Sequence, residues 1–470
     1  MRSTTIFFIL FLALTSCQSN SNLKLPSLIG DNMLLQQKTD AKIWGNATPG
    51  HKIDVAASWN VKGRAKAGVD GKWIVVLPTP EAGGPYSITI SANDTSVVIK
   101  NILIGEVWFC SGQSNMEMPL EAWPLVDTIM HSAETILSAS IPEIRLFNVL
   151  KKISGEPLED CTGRWEVSTP ETAKPFSATA YFFGRKLYNE LHVPIGLIES
   201  AWGGTPAESW ISSTALENSG EFISDLKAIK ESIPLLTLGP GTPSVLFNGM
   251  VNPVLNFQIK GAIWYQGESN VGRADQYAKI FPVMIQNWRE AWGIKDFPFY
   301  FVQIAPYVYS GVDSTESVYL REAQEQALKL ANTGMVTTFD IATVMNIHPP
   351  FKKEVGERLA LLALNNDYGI KNQSIGPVYK SMSVEGNSIK LQFENVGEGL
   401  ISKNDNLSEF EIAGNDGKYV KAKAKIINNE VLVSSSSVSQ PISVRYCWRN
   451  GAEASLFSKA GFPAWQFRTK

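Results

Sequence analysis

Short apolar runs separated by turn residues fill the chain from about residue 25 to residue 102. Turn signals such as Pro49-Gly50 and Val69-Asp70-Gly71-Lys72 lie between the runs, and no helical period is visible. This pattern is typical of a small β-sandwich. The predicted strands are Ala41–Trp44, Lys52–Ala56, Trp73–Leu77 and Tyr86–Ile90.

Between residues 103 and 375, short β-branched or aromatic runs alternate with helical stretches. Strands that are buried on both faces have this composition, so the alternation predicts an α/β core with a mostly parallel sheet. Ligands of such a sheet bind beyond the carboxyl ends of its strands. The predicted strands are Ile104–Phe109, Val193–Ile198, Ala262–Tyr265, Phe299–Ile304 and Met335–Phe339, and the predicted helices are Ala178–Leu191, Gln276–Trp292, Ser317–Ala331 and Lys352–Asn365.

Strand-like runs return over residues 376–470, which predicts a C-terminal β-rich region. With about 150 residues per domain, a chain of 470 residues is long enough for these three parts. The predicted C-terminal strands are Ser388–Glu394, Leu407–Ala413, Lys418–Ile427, Val431–Ser434 and Ile442–Cys447.

The first 17 residues have the form of a secretory signal. Arg2 precedes an apolar run from Ile6 to Leu14, which is too short to span a membrane permanently. The tetrad Leu14-Thr15-Ser16-Cys17 resembles a bacterial lipobox, in which Cys17 becomes the lipid-modified N-terminus, and a plain signal peptide is the alternative. We therefore expect an exported protein, periplasmic or an outer-membrane lipoprotein of a bacterium, which meets the membrane only through a lipid anchor.

Charge and cysteine content exclude several classes of protein. The net charge is −3, and it becomes −4 when residues 1–16 and with them Arg2 are removed. No cluster of Lys and Arg is present, which argues against a nucleic-acid partner. Cys110, Cys161 and Cys447 remain, so at most one internal disulfide can form, and the absence of any CxxC spacing argues against a structural zinc site.

A serine follows the strand Ile104–Phe109 on a short turn, in the segment Ser111-Gly112-Gln113-Ser114-Asn115-Met116. A nucleophile is expected at this carboxyl edge of the sheet. The segment is not a GxSxG elbow, because Met116 occupies the position of the second glycine. Ser114 could instead cap a helix, with Glu117 three residues later completing a capping box, and both roles are compatible.

A serine nucleophile needs a general base, and the four histidines allow an elimination. His51 lies in the predicted sandwich, His131 in a polar helical stretch, and His192 at the amino end of a strand. His348 follows the strand Met335–Phe339 by a loop, which places it at the same edge as Ser114. His348 is therefore the predicted base.

Two further loops follow strands at this edge. Gly203 and Gly204 allow close approach of the backbone to a ligand, while Gln266 and Asn270 carry amide donors. Together with the N–H of the serine, such groups would form an oxyanion hole. Taken singly, each loop could also be an ordinary tight turn.

These segments together resemble the SGNH hydrolases, and more closely the sialate O-acetylesterase family of carbohydrate esterases. The resemblance covers nearly the whole chain after the signal segment. It is carried by Gly105-Glu106-Val107-Trp108, Ser111 to Met116, Trp202-Gly203-Gly204-Thr205, Trp264 to Asn270, Ile347-His348-Pro349, and the tail from Tyr446-Cys447-Trp448 to Pro463 and Phe467.

The resemblance implies a three-layer α/β/α core of SGNH type and a serine esterase that removes O-acetyl groups from sugars, above all 9-O-acetylated sialic acids. It implies Ser114 as nucleophile, His348 as base, a backbone N–H of Gly203 or Gly204 with the amide of Gln266 or Asn270 as oxyanion donors, and no metal or other cofactor. An arginine is expected to bind the substrate carboxylate, and Arg321 is the candidate, with an exposed helix charge as the alternative.

The acid of the triad is the open point. Relatives often carry Asp two residues before this histidine, and SGNH enzymes generally three before, where this chain has Asn346 and Met345. Asp340, at the end of the preceding strand, is the nearest acidic candidate. A Ser–His dyad oriented by a carbonyl oxygen is the other possibility.

Three alternative functions remain open at this stage. The first is an esterase for acetylated xylan or another polysaccharide. The second is a glycoside hydrolase that uses two carboxylates, Glu268 with Glu199 or Asp340. The third is a glycan-binding protein without activity, which the 13 tryptophans and two β-rich flanks would suit.

Overall fold

The computed structural model describes residues 23–93, 95–232, 238–403 and 406–469. The predicted signal segment and Cys17 lie outside the described residues, so export and lipid anchoring stay predictions. In the part that is described, no helix is both long enough and apolar enough to cross a membrane.

Strands and helices alternate through the middle of the chain, with strands on both sides of it. The strands are β1 (Leu34–Gln36), β2 (Asp40–Asn46), β3 (Lys52–Ala57), β4 (Val61–Lys66), β5 (Lys72–Pro78), β6 (Gly83–Ala92), β7 (Thr95–Gly112), β8 (Ile141–Asn148), β9 (Trp165–Ser168), β10 (Ile195–Ala201), β11 (Gly261–Tyr265), β12 (Phe299–Val302), β13 (Thr333–Val336), β14 (Val378–Glu385), β15 (Ser388–Glu394), β16 (Leu400–Ser402), β17 (Phe410–Ala413), β18 (Val420–Lys421), β19 (Lys423–Ile427), β20 (Glu430–Ser434), β21 (Ser443–Tyr446), β22 (Leu456–Ser458) and β23 (Phe467–Arg468). The α-helices are α1 (Ser114–Glu117), α2 (Ser132–Leu137), α3 (Pro170–Ala173), α4 (Ala178–Leu191), α5 (Ser213–Ser219), α6 (Ile223–Ser232), α7 (Ala274–Trp292), α8 (Glu316–Glu325) and α9 (Lys352–Asp367).

The central sheet has the strand order β13-β12-β11-β7-β10-β8-β9. All neighbouring pairs on this path are parallel except β8 with β9. The middle strand β7 pairs along Glu106–Gly112 with β10 and along Trp108–Gly112 with β11. Because parallel strands end at the same edge, the loops after β7, β10, β11 and β13 converge there.

The two faces of this sheet are buried in separate hydrophobic cores. Side chains alternate along β7, so Phe109 packs edge-on against Trp288 of α7, while Trp108 packs against Phe183 of α4. Helix α9 lies against α4 at Gly356, where a Cβ atom would come within 2.8 Å of Phe183 N. The predicted α/β class is confirmed, and the finer assignment to a three-layer SGNH core stays a prediction.

Strand β7 also joins the N-terminal strands to the central sheet. Its first half pairs antiparallel with β6, which continues to β3 and β4, while β2 and β5 form a separate pair. The predicted boundary at residues 102/103 therefore falls inside one strand. Strand β4 was missing from the sequence prediction because its residues, Val61–Lys66, contain no apolar run and are half-exposed or exposed. The sandwich arrangement of this region stays a prediction.

The described residues after 375 form further antiparallel sheets, ordered β14-β15-β20-β19 and β18-β17-β21-β23, together with the pair β16-β22. Their apolar faces enclose a third core, in which the ring of Tyr446 stacks on Phe467 and contacts Phe410 at a tilt. The β-rich character predicted for this region is therefore present.

None of the three described cysteines forms a disulfide, and Cys110, Cys161 and Cys447 are all buried. Burial raises the pKa of each thiol, to about 12 for Cys161. Since the thiolate is the reactive form, these cysteines are packing residues.

Candidate active site

The serine loop is shaped by a glycine that no other residue can replace without strain. Gly112 at the end of β7 has φ +146°, and a Cβ atom there would lie 2.2 Å from the carbonyl oxygen of Tyr265. The next residue, Gln113, donates its backbone N–H to that same oxygen at 3.0 Å. The chain therefore turns against the end of β11 and presents Ser114 as the first residue of α1.

Ser114 is not the helix cap. The N-cap is Gln113, which makes no side-chain capping bond, and so the capping box considered for Ser114 and Glu117 is not formed. The Ser114 hydroxyl oxygen instead lies 3.0 Å from Nε2 of His348.

A continuous hydrogen-bonded chain joins Ser114, His348 and Asp127. Nδ1 of His348 lies 3.0 Å from Oδ2 of Asp127, whose side chain is 2% exposed. With Nδ1–H donating to the carboxylate, the lone pair of Nε2 faces the serine hydroxyl. This is the order nucleophile, base, acid found in serine hydrolases.

The electrostatics of His348 suit a base. Burial lowers the pKa of this imidazole below its usual 6.5, and Asp127 opposes the shift. The ring is also held by Trp123, which contacts it edge-on with centroids 5.1 Å apart. His348 is therefore neutral near pH 7, the form that can accept a proton.

Asp340, the acid proposed from sequence, does not contact His348. Both of its carboxylate oxygens pair with the guanidinium of Arg358 on α9, at 2.9 and 2.6 Å. This bidentate pair fixes the carboxylate toward α9, and Nδ1 of His348 pairs with Asp127 instead. The prediction that Asp340 is the acid of the triad is wrong. The alternative of a Ser–His dyad without an acid is also wrong, because Asp127 occupies the position of the acid.

Asn346 joins the two loops at the acid. Its amide N–H donates to Oδ1 of Asp127 at 2.9 Å, and its side-chain carbonyl accepts the backbone N–H of His348 at 2.8 Å. Asn346, which occupies the position where relatives often carry the acid, therefore positions Asp127, the acid from another loop.

The remaining histidines lie elsewhere, as the elimination predicted. His131 and His192 have left-handed backbone at the start of α2 and the end of α4, and His51 lies beside the N-terminal strands. The exposed ring of His131 pairs with Glu134, away from the serine.

The predicted oxyanion donors are only partly available. The N–H of Gly203 donates to Oε2 of Glu117 at 2.5 Å. Both amide hydrogens of Gln266 are committed, to the carbonyl of Thr205 and to Oδ1 of Asn270. The prediction that Gly203 or Gln266 donates to the oxyanion is therefore wrong for the structure without substrate, because their N–H groups are already bonded within the protein.

Asn270 keeps one amide hydrogen. Its other N–H donates to Glu208 at 3.0 Å, which fixes the orientation of the amide. Gly204 has the left-handed φ of +75° and faces open space, so its backbone remains accessible beside Gly203. Gly204 is the predicted donor that is exposed, whereas Asn270 is fully buried and its carboxamide also accepts from Ala207 and Gln266.

Arg321 does not line the site. Its side chain is fully buried and donates to Gln466, to Ser317 and to the carbonyl of Arg449. Its guanidinium also lies 5.0 Å from the ring centroid of Phe339. Arg321 therefore connects α8 to the C-terminal region, and its prediction as a substrate ligand is wrong, as is the exposed helix charge that was the alternative.

Replacing Arg321 by Met is expected to lower the free energy of unfolding by about 2–4 kcal/mol, because two buried acceptors and one partly buried acceptor lose their donor. Urea unfolding checks this, with Arg468→Met as the control, since Arg468 makes a half-exposed pair with Glu322. An unchanged stability together with a raised KM for an acidic sugar would instead make Arg321 a substrate ligand.

A different cation lies at the rim of the site. Nζ of Lys151 is 2.5 Å from Oε1 of Glu117 and 5.3 Å from the ring centroid of Trp202, and its side chain is 43% exposed. Sequence reasoning missed Lys151 because it lies in a loop after β8, a strand that was not predicted. Among the described residues, no three or more His, Cys, Asp or Glu side chains are grouped to hold a metal ion.

An α/β fold whose sheet edge carries a linked serine, histidine and aspartate is an arrangement typical of ester hydrolases. The curated relatives and the solved structure that match most of this chain are named as esterases as well. Residues 104–365 match the model of the family "carbohydrate esterase, sialic acid-specific acetylesterase". The chain belongs to this family, and it is an esterase that hydrolyses O-acetyl esters of sugars.

The similarity to individual relatives extends over most of the chain. It is 30% identical to the human sialate O-acetylesterase, over 90% of this chain and 87% of that one. It is 29% identical to the sialate O-acetylesterase of Rattus norvegicus, over 95% and 93%. A crystal structure of a carbohydrate acetylesterase from Xanthomonas citri is similar with a TM-score of 0.86 and 33% identity, covering 95% of this chain and 99% of that chain.

Proposed function

We propose that the protein removes O-acetyl groups from sialic acids, 9-O-acetylated ones above all, through an acetyl-Ser114 intermediate. The observation that carries the mechanism is the chain of hydrogen bonds from Ser114 through His348 to Asp127. The names of the relatives, which include sialate O-acetylesterases, support the substrate. We also assign the catalytic core to the SGNH type, on the resemblance of the sequence segments named above that lie within it.

In the first half of the reaction, Oγ of Ser114 attacks the acetyl carbonyl carbon while Nε2 of His348 takes the hydroxyl proton. Asp127 stabilises the imidazolium that forms. The tetrahedral intermediate collapses, the bond from carbon to the sugar oxygen breaks, and His348 returns the proton to that oxygen. The deacetylated sugar leaves and the acetyl group stays on Ser114.

In the second half, water attacks the acetyl-enzyme and gives its proton to His348. Collapse of the second intermediate releases acetic acid and restores the Ser114 hydroxyl. The developing oxyanion of both steps is stabilised by the N–H groups of Ser114 and Gly204. Gly203 packs beside the nucleophile, since a Cβ atom there would lie 3.2 Å from that of Ser114.

The rim of the site favours an acidic sugar. The partly exposed ring of Trp202 can stack on a sugar ring, and the ammonium of Lys151 beside it can bind a carboxylate. Glu117 already pairs with Lys151, but a half-exposed ion pair is weak and can exchange with a substrate carboxylate.

Lys151→Met is expected to raise KM for 9-O-acetylated sialic acid about tenfold, the loss of one charged hydrogen bond. The same change should leave kcat/KM for the uncharged substrate 4-nitrophenyl acetate within about twofold, because that substrate has no carboxylate to bind. Lys152→Met, next along the chain and also exposed, is the matched control. Equal losses on both substrates would remove Lys151 from substrate recognition.

The substrate itself is tested by acetate release. The protein is expected to have a higher kcat/KM on 9-O-acetylated sialic acid than on acetylated xylan, and the reverse order would favour the polysaccharide esterase.

The glycoside hydrolase alternative has little structural support. Glu199 and Glu268 are buried at 3% and 8% exposure, and Asp340 is paired with Arg358.

A further inference from the structure

A buried lysine lies behind the catalytic groups. Lys352, at the start of α9, has no exposed surface. Its ammonium donates to Oδ1 of Asn115 at 2.6 Å and to the carbonyl of Pro349 at 2.8 Å. These acceptors belong to the residues that directly follow Ser114 and His348. One ammonium group therefore ties the nucleophile loop to the histidine loop.

Asn115 extends this tie to a third loop. Its amide N–H groups donate to Oε1 of Glu268 at 2.7 Å and to the carbonyl of Ile347 at 3.0 Å. The three polar side chains of Lys352, Asn115 and Glu268 thus link the loops after β7, β11 and β13 below the site. A buried lysine is costly, and a purely apolar contact would hold two loops together at lower cost.

We propose that Lys352 is a positioning residue, whose ammonium sets the Ser114–His348 geometry and keeps His348 a neutral base at lower pH. The first effect follows from the two hydrogen bonds. The second follows from charge, because a cation near the imidazole disfavours its protonated form.

The charges around the lysine agree with this role. Burial lowers the pKa of Lys352 to about 7, against the opposing effects of Glu268 and Asp127. The ring of Tyr265 faces the ammonium with its centroid at 5.7 Å. Lys352 is in turn one of the groups that lower the pKa of His348. A positive charge on Lys352 therefore disfavours protonation of His348.

Lys352→Met and Lys352→Gln test this role by removing the charge, the second with an amide that can still donate. We expect Lys352→Met to lower kcat for acetate release about 10- to 100-fold with KM nearly unchanged, as expected when reacting groups are misplaced. In both variants the acid limb of the kcat/KM profile should move to higher pH by roughly 0.5–1 unit, because His348 gains basicity. Lys353→Met, one residue further along α9, is the control and should move neither.

Unfolding provides a second readout. Folding lowers the pKa of Lys352 from 10.5 to about 7, so between these values the unfolded chain holds a proton that the folded chain has released. The free energy of unfolding of the wild type should therefore rise with pH in this window relative to that of Lys352→Met or Lys352→Gln. Parallel pH dependences would show that no buried lysine titrates there.

The proposal for Lys352 is refuted if a folded Lys352 variant keeps the acid limb of the wild-type kcat/KM profile, or if its kcat falls no more than that of Lys353→Met. Because the proposal rests on the serine mechanism above, Ser114→Ala is measured alongside. Full activity in Ser114→Ala would refute the mechanism, whereas an inactive Ser114→Ala with unaffected Lys352 variants would refute the role of the lysine alone.

Discussion

Replacing Asp127 by Asn is expected to lower kcat for acetate release about 10⁴-fold, as the equivalent change does in a well-studied serine protease triad. Oδ2 of Asp127 accepts the Nδ1–H of His348 in the resting enzyme. An amide there can present N–H to Nδ1, which favours the tautomer with a proton on Nε2. The nitrogen facing Ser114 then has no lone pair to receive its proton, and the imidazolium loses its neighbouring charge.

Asp340→Asn is the matched control for this change. It removes a carboxylate of the same type, from the residue that sequence position alone favoured, and it breaks the pair with Arg358. We expect Asp340→Asn to cost stability but to retain kcat within a fewfold when folded. A larger loss of kcat in Asp340→Asn than in Asp127→Asn would reverse the assignment of the acid.

Replacing Ser114 by Ala is expected to have the largest effect, a fall in kcat of about 10⁴- to 10⁶-fold. The change removes the atom that forms the acetyl-enzyme while the small side chain leaves the loop geometry intact. The remaining activity would come from the oxyanion donors and substrate positioning alone. Initial rates of acetate release at saturating substrate provide the measurement.

Ser111→Ala controls for the loss of a serine hydroxyl in the same segment. Ser111 is buried and donates to the carbonyl of Ser200 at 2.6 Å, so its loss should lower stability by about 1 kcal/mol and leave kcat unchanged. If Ser114→Ala retained near wild-type activity, a carboxylate mechanism would have to replace the serine mechanism.

Much of the fold could be predicted from local patterns. Helix α4 and strand β15 have the bounds that periodicity predicted, because each lies between clear breaks in the sequence. Strand β7 was harder, since its first half faces solvent on one side and only its second half is an apolar run. A strand that passes from one sheet into another has no local signature at the transition.

The residues of the site likewise fall into those that local sequence patterns could predict and those that they could not. Ser114 and His348 could be found because each follows a predicted strand at one edge of a parallel sheet. Asp127 could not, because it lies in a loop between two short helices, 221 residues before the histidine it contacts. The one available signal was negative: Asn346 showed that no acid lies just before His348. Arg321 was wrongly predicted to bind substrate, because its neighbours in sequence do not reveal that residues 449 and 466 bury it.

Covalent labelling of the nucleophile tests the central claim most directly. The wild-type protein is incubated with a serine-directed phosphonate, digested, and mapped by mass spectrometry, with Ser114→Ala and Ser111→Ala treated in parallel. We expect one adduct on Ser114 that forms in step with the loss of acetate release, forms also in Ser111→Ala, and is absent from Ser114→Ala. An active, folded wild-type protein that loses activity through an adduct elsewhere, or that remains fully active with Ser114 labelled, would contradict it.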